Sequence, residues 1–249
     1  MKSATAPLLW AHVLGNALLL WLGYIWLGMS EADGLHLLGS IVVVLVFLSA
    51  AVWLHGATLA FFQSDSRNLL ASATIAARNL LPLLLLVLAV FAAYGAVAWW
   101  TTFLPRQGFV IASYLTLTLR RPVKPETVVN VLRTIVWILR WVVLPVLFLP
   151  TAAEISIRGW SGFNSGPFRS GRRSIYWLEI AVLSVCAFWV PLKLLSWIPE
   201  FRSFNLQMLS FLGRLSAGYL LLVAALLALA FVTAGGKPRF TQDKTASSP

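Results

Sequence analysis

The chain has 249 residues, 59% hydrophobic and 11% charged, with a mean hydropathy of +0.84. Soluble domains hold about 45–50% apolar and about 25% charged residues, so a soluble core is excluded. The net charge of +11 does not point to nucleic acid, because the basic residues are scattered over the links between apolar runs, a distribution that suits anionic lipid headgroups.

Six apolar runs each reach the roughly 20 residues that a helical crossing needs. Span one covers 8–29, with Trp10 and Trp26 near its two ends as an aromatic belt would place them. Lys2 ahead of an apolar run resembles the start of a signal peptide. The run is long for that, however, and no small-x-small cleavage site follows, so a retained first span is expected. The short acidic link SEADG turns the chain back into span two, 35–62, whose 28 residues predict tilt or an emerging end.

The segment 63–79 mixes small, apolar and basic residues and is expected at the interface. Span three, 81–104, has Pro82 in its first turn, where a missing N–H costs little. It carries Ala89, Ala92, Ala93, Gly95 and Ala96, small residues that allow close helix approach. In 105–125, PRQGFVIASYLTLTLRRPVKP, the apolar part 108–119 is short for a crossing and fits a re-entrant or interfacial segment.

Span four covers 126–152, with a bend expected at Pro145 and an end near Pro150. The loop 156–175, rich in Gly, Ser and Arg, reads as solvent-exposed. Span five, 176–198, contains Pro191, and span six covers 206–234. The expected fold class is therefore an all-α integral membrane bundle of six spans in one domain, 1–234. A polar tail, 235–249, is expected to be disordered.

The expected placement is a bacterial inner membrane with both termini cytoplasmic. Arg106, Arg120, Arg121, Lys124 and Arg133 then fall on the wrong side for the positive-inside rule. Three placements of 105–125 stay open: outside, re-entrant, or a seventh crossing.

Ionisable residues within spans are candidates for function, since each costs about 2.5–3.5 kcal/mol at mid-bilayer on insertion scales. Arg133, Arg140 and Glu154 recur at heptad spacing on one face of span four, and Glu179 and Lys193 share a face of span five. Arg140, Glu154, Glu179 and Lys193 either form a polar path for an ion, proton or anionic solute, or snorkel to headgroups with only Arg140 buried.

Folding spans one and two about SEADG brings His12 to the depth of His55, so the two offer axial haem ligation or another metal site, against hydrogen-bonded core histidines. Cys186 reads as a packing residue. No HExxH, GxSxG, Walker, CxxC or GxGxxG-plus-acid arrangement is present, and no catalytic residue is named. The composition and spacing point first to an accessory or scaffold component packing against a membrane-protein partner and lipids. A small transporter or channel is the alternative, and a bis-His haem or metal protein the third reading.

Overall fold

The computed structural model describes residues 5–29, 33–64, 67–164, 174–200 and 203–234. The tail 235–249, the stretch 165–173 with Arg169, Arg172 and Arg173, and also Lys2 and Arg202 lie outside these residues. Every described element is helical: α1 (Thr5–Leu27), α2 (Gly34–Gln63), α3 (Leu69–Arg78), α4 (Leu80–Thr101), α5 (Leu104–Leu119), α6 (Pro125–Ile138), α7 (Leu144–Arg158), α8 (Ser174–Ser184), α9 (Val190–Ser196) and α10 (Phe204–Thr233). A π-turn, Leu139–Val143, joins α6 to α7, and a second, Val185–Trp189, joins α8 to α9. Six of the resulting helical rods are long and apolar enough to cross a membrane, so the protein is an all-α multi-pass membrane bundle.

Asp33 caps α2 by accepting from the His36 backbone N–H at 2.9 Å, and its other oxygen lies 2.8 Å from His36 Nδ1. These bonds, the backbone one foremost, hold the Asp33 carboxyl below its ordinary range. The turn they anchor folds α1 antiparallel to α2, and Trp26 Nε1 donates to Ser40 Oγ at 2.8 Å near it. Asn68 caps α3 through the Leu70 and Ala71 N–H groups. The expected interfacial stretch 63–79 thus contains a ten-residue helix laid back along the end of α2, where Trp53 Nε1 donates to Ala73 O at 2.9 Å.

α4 runs antiparallel to the rod formed by α6 and α7. Asn79 Nδ2 donates to Ser156 O at 3.1 Å at one end, and Val97 and Leu104 pack with Val136 and Leu144 toward the other. α5 continues past the end of α4 and forms an antiparallel hairpin with α6. Arg120 closes it in the left-handed region at φ 50, and Val123 N–H donates to Thr116 Oγ1 at 3.0 Å. The stretch 105–125 is therefore mostly a 16-residue helix, about 24 Å long, leaning on the first turns of span four. The hairpin is tight at Gly108, where a Cβ would sit 2.3 Å from Val129 Cγ2.

Two expectations for span four are corrected. The rod does not end near Pro150 but continues to Arg158, and Gly159, at φ 59, stops it in a conformation that L side chains rarely adopt. Residues 156–164 are not wholly an exposed loop either. Ser156 is buried, and the 3₁₀ turn Gly159–Asn164 folds back on α7 with Gly159 and Gly162 buried. Pro150 is tolerated because its turn is packed inside the bundle, with Thr151 and Ala153 also buried.

α8 and α10 complete the bundle through the cluster Val146, Tyr176, Ile180, Ala187, Ala225 and Leu229, and Pro191 of α9 packs near Gly218 of α10. Leu59, Ala153 and Ala230 join α2, α7 and α10. The start of α1 and the end of α10 share one end of the bundle, and the Tyr219 hydroxyl of α10 donates to Val13 O of α1.

Adding a methyl at Gly108 forces the hairpin open, whereas at Gly95 it meets nothing within 4 Å. We expect Gly108→Ala to destabilise by ~1–3 kcal/mol in detergent unfolding titrations, an overpacking cost, and Gly95→Ala to leave the midpoint unchanged.

Candidate functional site

The site begins with a missing hydrogen. Pro145 has no N–H, and the Leu144 N–H is drawn to Leu139 O by the π-turn. Arg140 O therefore loses both of its usual helix donors. The Tyr94 hydroxyl of α4 fills the gap, donating to Arg140 O at 2.7 Å. The expected bend at Pro145 thus takes the form of a π-turn, clamped across the interface by a tyrosine.

On this stretch of the rod, Arg133, Val136, Trp137, Arg140 and Trp141 line a cleft of about 300 Å³, closed on the other side by Thr101 at the end of α4 and Leu104 at the start of α5. Arg140 Nε is buried with no hydrogen-bond partner. Among the described residues, neither Arg133 nor Arg140 has a carboxylate within ion-pair distance. The Thr101 hydroxyl donates to Ala98 O at 2.5 Å, so the remaining side-chain donors among the lining residues are the two guanidinium groups and the indole N–H groups of Trp137 and Trp141.

Span five repeats the device. Val190 N–H reaches back to Val185 O immediately before Pro191, and the two π-turns face each other, with Trp141 and Phe188 rings 6.0 Å apart. That contact fixes the register of the antiparallel pair. Five residues on from each, in opposite directions, come Val136 and Lys193, so Lys193 lies near the level of Arg133. Its Nζ sits 5.8 Å from the Trp189 ring centroid on the exposed side of the helix. Glu179 is exposed on α8. Glu154, at the opposite end of the rod, pairs with Arg158 at 3.2 Å. Of Arg140, Glu154, Glu179 and Lys193, only Arg140 lines the cleft. Arg133 joins it, as its heptad spacing from Arg140 signalled. Tyr94, Trp137 and Trp141 had no sequence signal to mark them.

The histidine pair is a second polar cluster. The His12 and His55 rings lie 5.4 Å apart between centroids, tilted by 51°. His12 is fully buried. Thr58 donates its hydroxyl hydrogen to Leu54 O at 2.9 Å, so His12 Nε2, 2.5 Å from Thr58 Oγ1, is the donor in that bond. His12 Nδ1 then accepts from Asn16 Nδ2 at 3.2 Å, and Asn16 also donates to His12 O at 2.8 Å. The network assigns a neutral imidazole whose one lone pair is already engaged. A metal or haem iron at His12 requires one of these bonds to break. Among the described residues, no group of three or more His, Cys, Asp or Glu side chains converges as a metal site.

Arg214 is the remaining charge inside a span. Its guanidinium crosses to the carbonyls of Leu194, Leu195 and Trp197, tying the end of α9 to α10. This cation serves as a cap for a helix C-terminus.

No protein-family model, curated protein or solved structure matches this chain.

Two substitutions test these clusters separately. Tyr94→Phe leaves Arg140 O without a donor and should cost ~1–3 kcal/mol in detergent unfolding, while Tyr114→Phe, at an exposed tyrosine, should cost nothing. Thr58→Val strands the His12 Nε2–H and should cost a similar ~1–3 kcal/mol, reversed in part by Thr58→Ser.

Proposed function

We propose that this multi-pass membrane protein is an accessory or scaffold component that packs against a partner membrane protein through span three. The observation that carries this reading is the exposed small-residue face of α4. Ala89, Ala92, Gly95 and Ala96 point away from the bundle, and a Cβ at Gly95 would meet nothing within 4 Å. Lipid tails are as apolar as leucine, so helices associate in a bilayer where small residues let backbones come close and gain dispersion contacts. The neighbouring Leu88, Phe91 and Trp99 are exposed beside this face and supply ridges for a facing helix.

The same reading places the protein in a bacterial inner membrane with both chain ends cytoplasmic. Arg67, Arg78 and Arg158 lie toward the end of the bundle shared by α1 and α10, which favours the cytoplasmic side for that end. Anionic lipid headgroups are its other expected contacts. Solute passage through spans four and five is the competing reading, favoured by Arg140 in its cleft. The accessory reading takes precedence because Glu154, Glu179 and Lys193 are absent from the cleft lining.

The test is native mass spectrometry of the protein extracted from its own membrane in mild detergent. A stoichiometric protein partner is expected, lost in Ala92→Leu and Gly95→Leu and kept in Leu70→Ala, a change at an exposed position outside span three. A wild-type protein that emerges as a bare monomer sinks the accessory reading. A homodimer broken by the same two substitutions would make the partner a second copy.

A further inference from the structure

We propose that the cleft between the end of α4 and the Arg133–Trp141 stretch binds a phosphate group, with Arg133 and Arg140 as its two cationic contacts. The inference does not depend on the span-three partner, because the cleft and the small-residue face are separate surfaces.

The first support is an unfinished hydrogen-bond inventory. A guanidinium carries five donors, and a buried donor without a partner is costly. Arg140 Nε is buried and unpartnered, and the lining of its cleft offers no carboxylate. Its own backbone carbonyl is held by Tyr94 from the neighbouring helix, which fixes the backbone at the cleft wall. The second support is charge. Arg133 lies two turns away, about 10 Å along the axis, yet lines the same cleft, so two like charges share one small space between apolar walls. An anion bound between them would offset that repulsion.

The geometry favours phosphate over a carboxylate. One guanidinium fork can satisfy both oxygens of a carboxylate. Two guanidiniums two turns apart on one helix face suit the several separate oxygens of a tetrahedral phosphate. The volume of about 300 Å³ is at the lower end of the ~300–1,000 Å³ range of ligand pockets, enough for a headgroup but not a whole lipid. The level fits as well. The cleft opens where α4 ends, beside the level of Lys193, and Trp137 is partly exposed at its edge. Cations and tryptophans at a span end mark the headgroup zone. A phosphate there comes either from a phospholipid whose tails remain in the bilayer or from free phosphate.

The test uses the delipidated full chain in non-ionic detergent and native mass spectrometry with three probes: dioctanoyl phosphatidylglycerol, dioctanoylglycerol and inorganic phosphate. One phosphatidylglycerol per chain should be retained, with little retention of the phosphate-free diacylglycerol. Arg133→Gln and Arg140→Gln should each weaken retention by about tenfold, the loss of a charge-assisted contact, and Arg140→Lys by less. Arg78→Gln, at the other end of the bundle, should change nothing. Inorganic phosphate that displaces the lipid at comparable concentration identifies free phosphate as the ligand, and failure to displace identifies the headgroup. Retention that is unchanged in Arg133→Gln, or equal for the diacylglycerol, overturns the proposal. Arg133 is exposed, so its substitution carries the test even if Arg140→Gln does not fold.

Discussion

A carbonyl in hydrocarbon has no water to turn to, and this constraint shapes the centre of the molecule. Prolines within spans four and five remove backbone donors where nothing outside the protein can replace them. At Pro145 the chain responds twice. The helix widens into a π-turn that pairs Leu144 N–H with Leu139 O, and Tyr94 reaches over from α4 to the carbonyl left behind at Arg140. The local defect thereby becomes a contact between helices. The same widening precedes Pro191, and the two turns lie opposite one another with Trp141 against Phe188. The two π-turns therefore meet one another at a helix–helix contact.

Several polar groups elsewhere obey the same rule, although Ser184 Oγ, like Arg140 Nε, is buried without a hydrogen-bond partner. His12, Asn16 and Thr58 satisfy one another in sequence, ending on the backbone at Leu54 O and His12 O. Arg214 spends its charge on carbonyls at the end of α9, where the helix dipole favours a cation. Glu154 has Arg158 one turn away. Arg140 differs from these paired groups, with its carbonyl satisfied and part of its side chain not. That asymmetry separates a structural arginine from one positioned for a ligand.

Packing divides the small residues into two groups with different consequences. Gly56 and Gly108 are buried at close contacts within the fold, against Leu83 and Val129 respectively. In span three Ala89, Ala92, Gly95 and Ala96 remain outside, whereas Ala93 packs against the cluster of Val97, Leu104, Val136 and Leu144. A sequence reading cannot separate these groups, because the same residue type allows approach by a helix of its own chain or of another. Only the direction each face takes in the assembled bundle decides it.

Hydrophobicity alone determined that the chain is a helical, multi-pass bundle with six runs long enough to cross, because a bilayer admits few other solutions for runs of this length. The depth of each charge followed from counting residues along a rod. The heptad spacing that placed Arg133 and Arg140 on one face was legible for the same reason. Contacts between rods were not. Nothing local in the chain told Tyr94 from any other tyrosine in a span. The Glu154–Arg158 pair is four residues apart and local, but it became legible only with the helix extended past Pro150. The end of span four was also misread at Pro150, because packing around that turn outweighs the local preference of proline. Rotation of each helix about its own axis depends on side chains distant in sequence. It was therefore the tertiary structure that decided which residues share the cleft, which histidine nitrogen is engaged and which small residues remain outside.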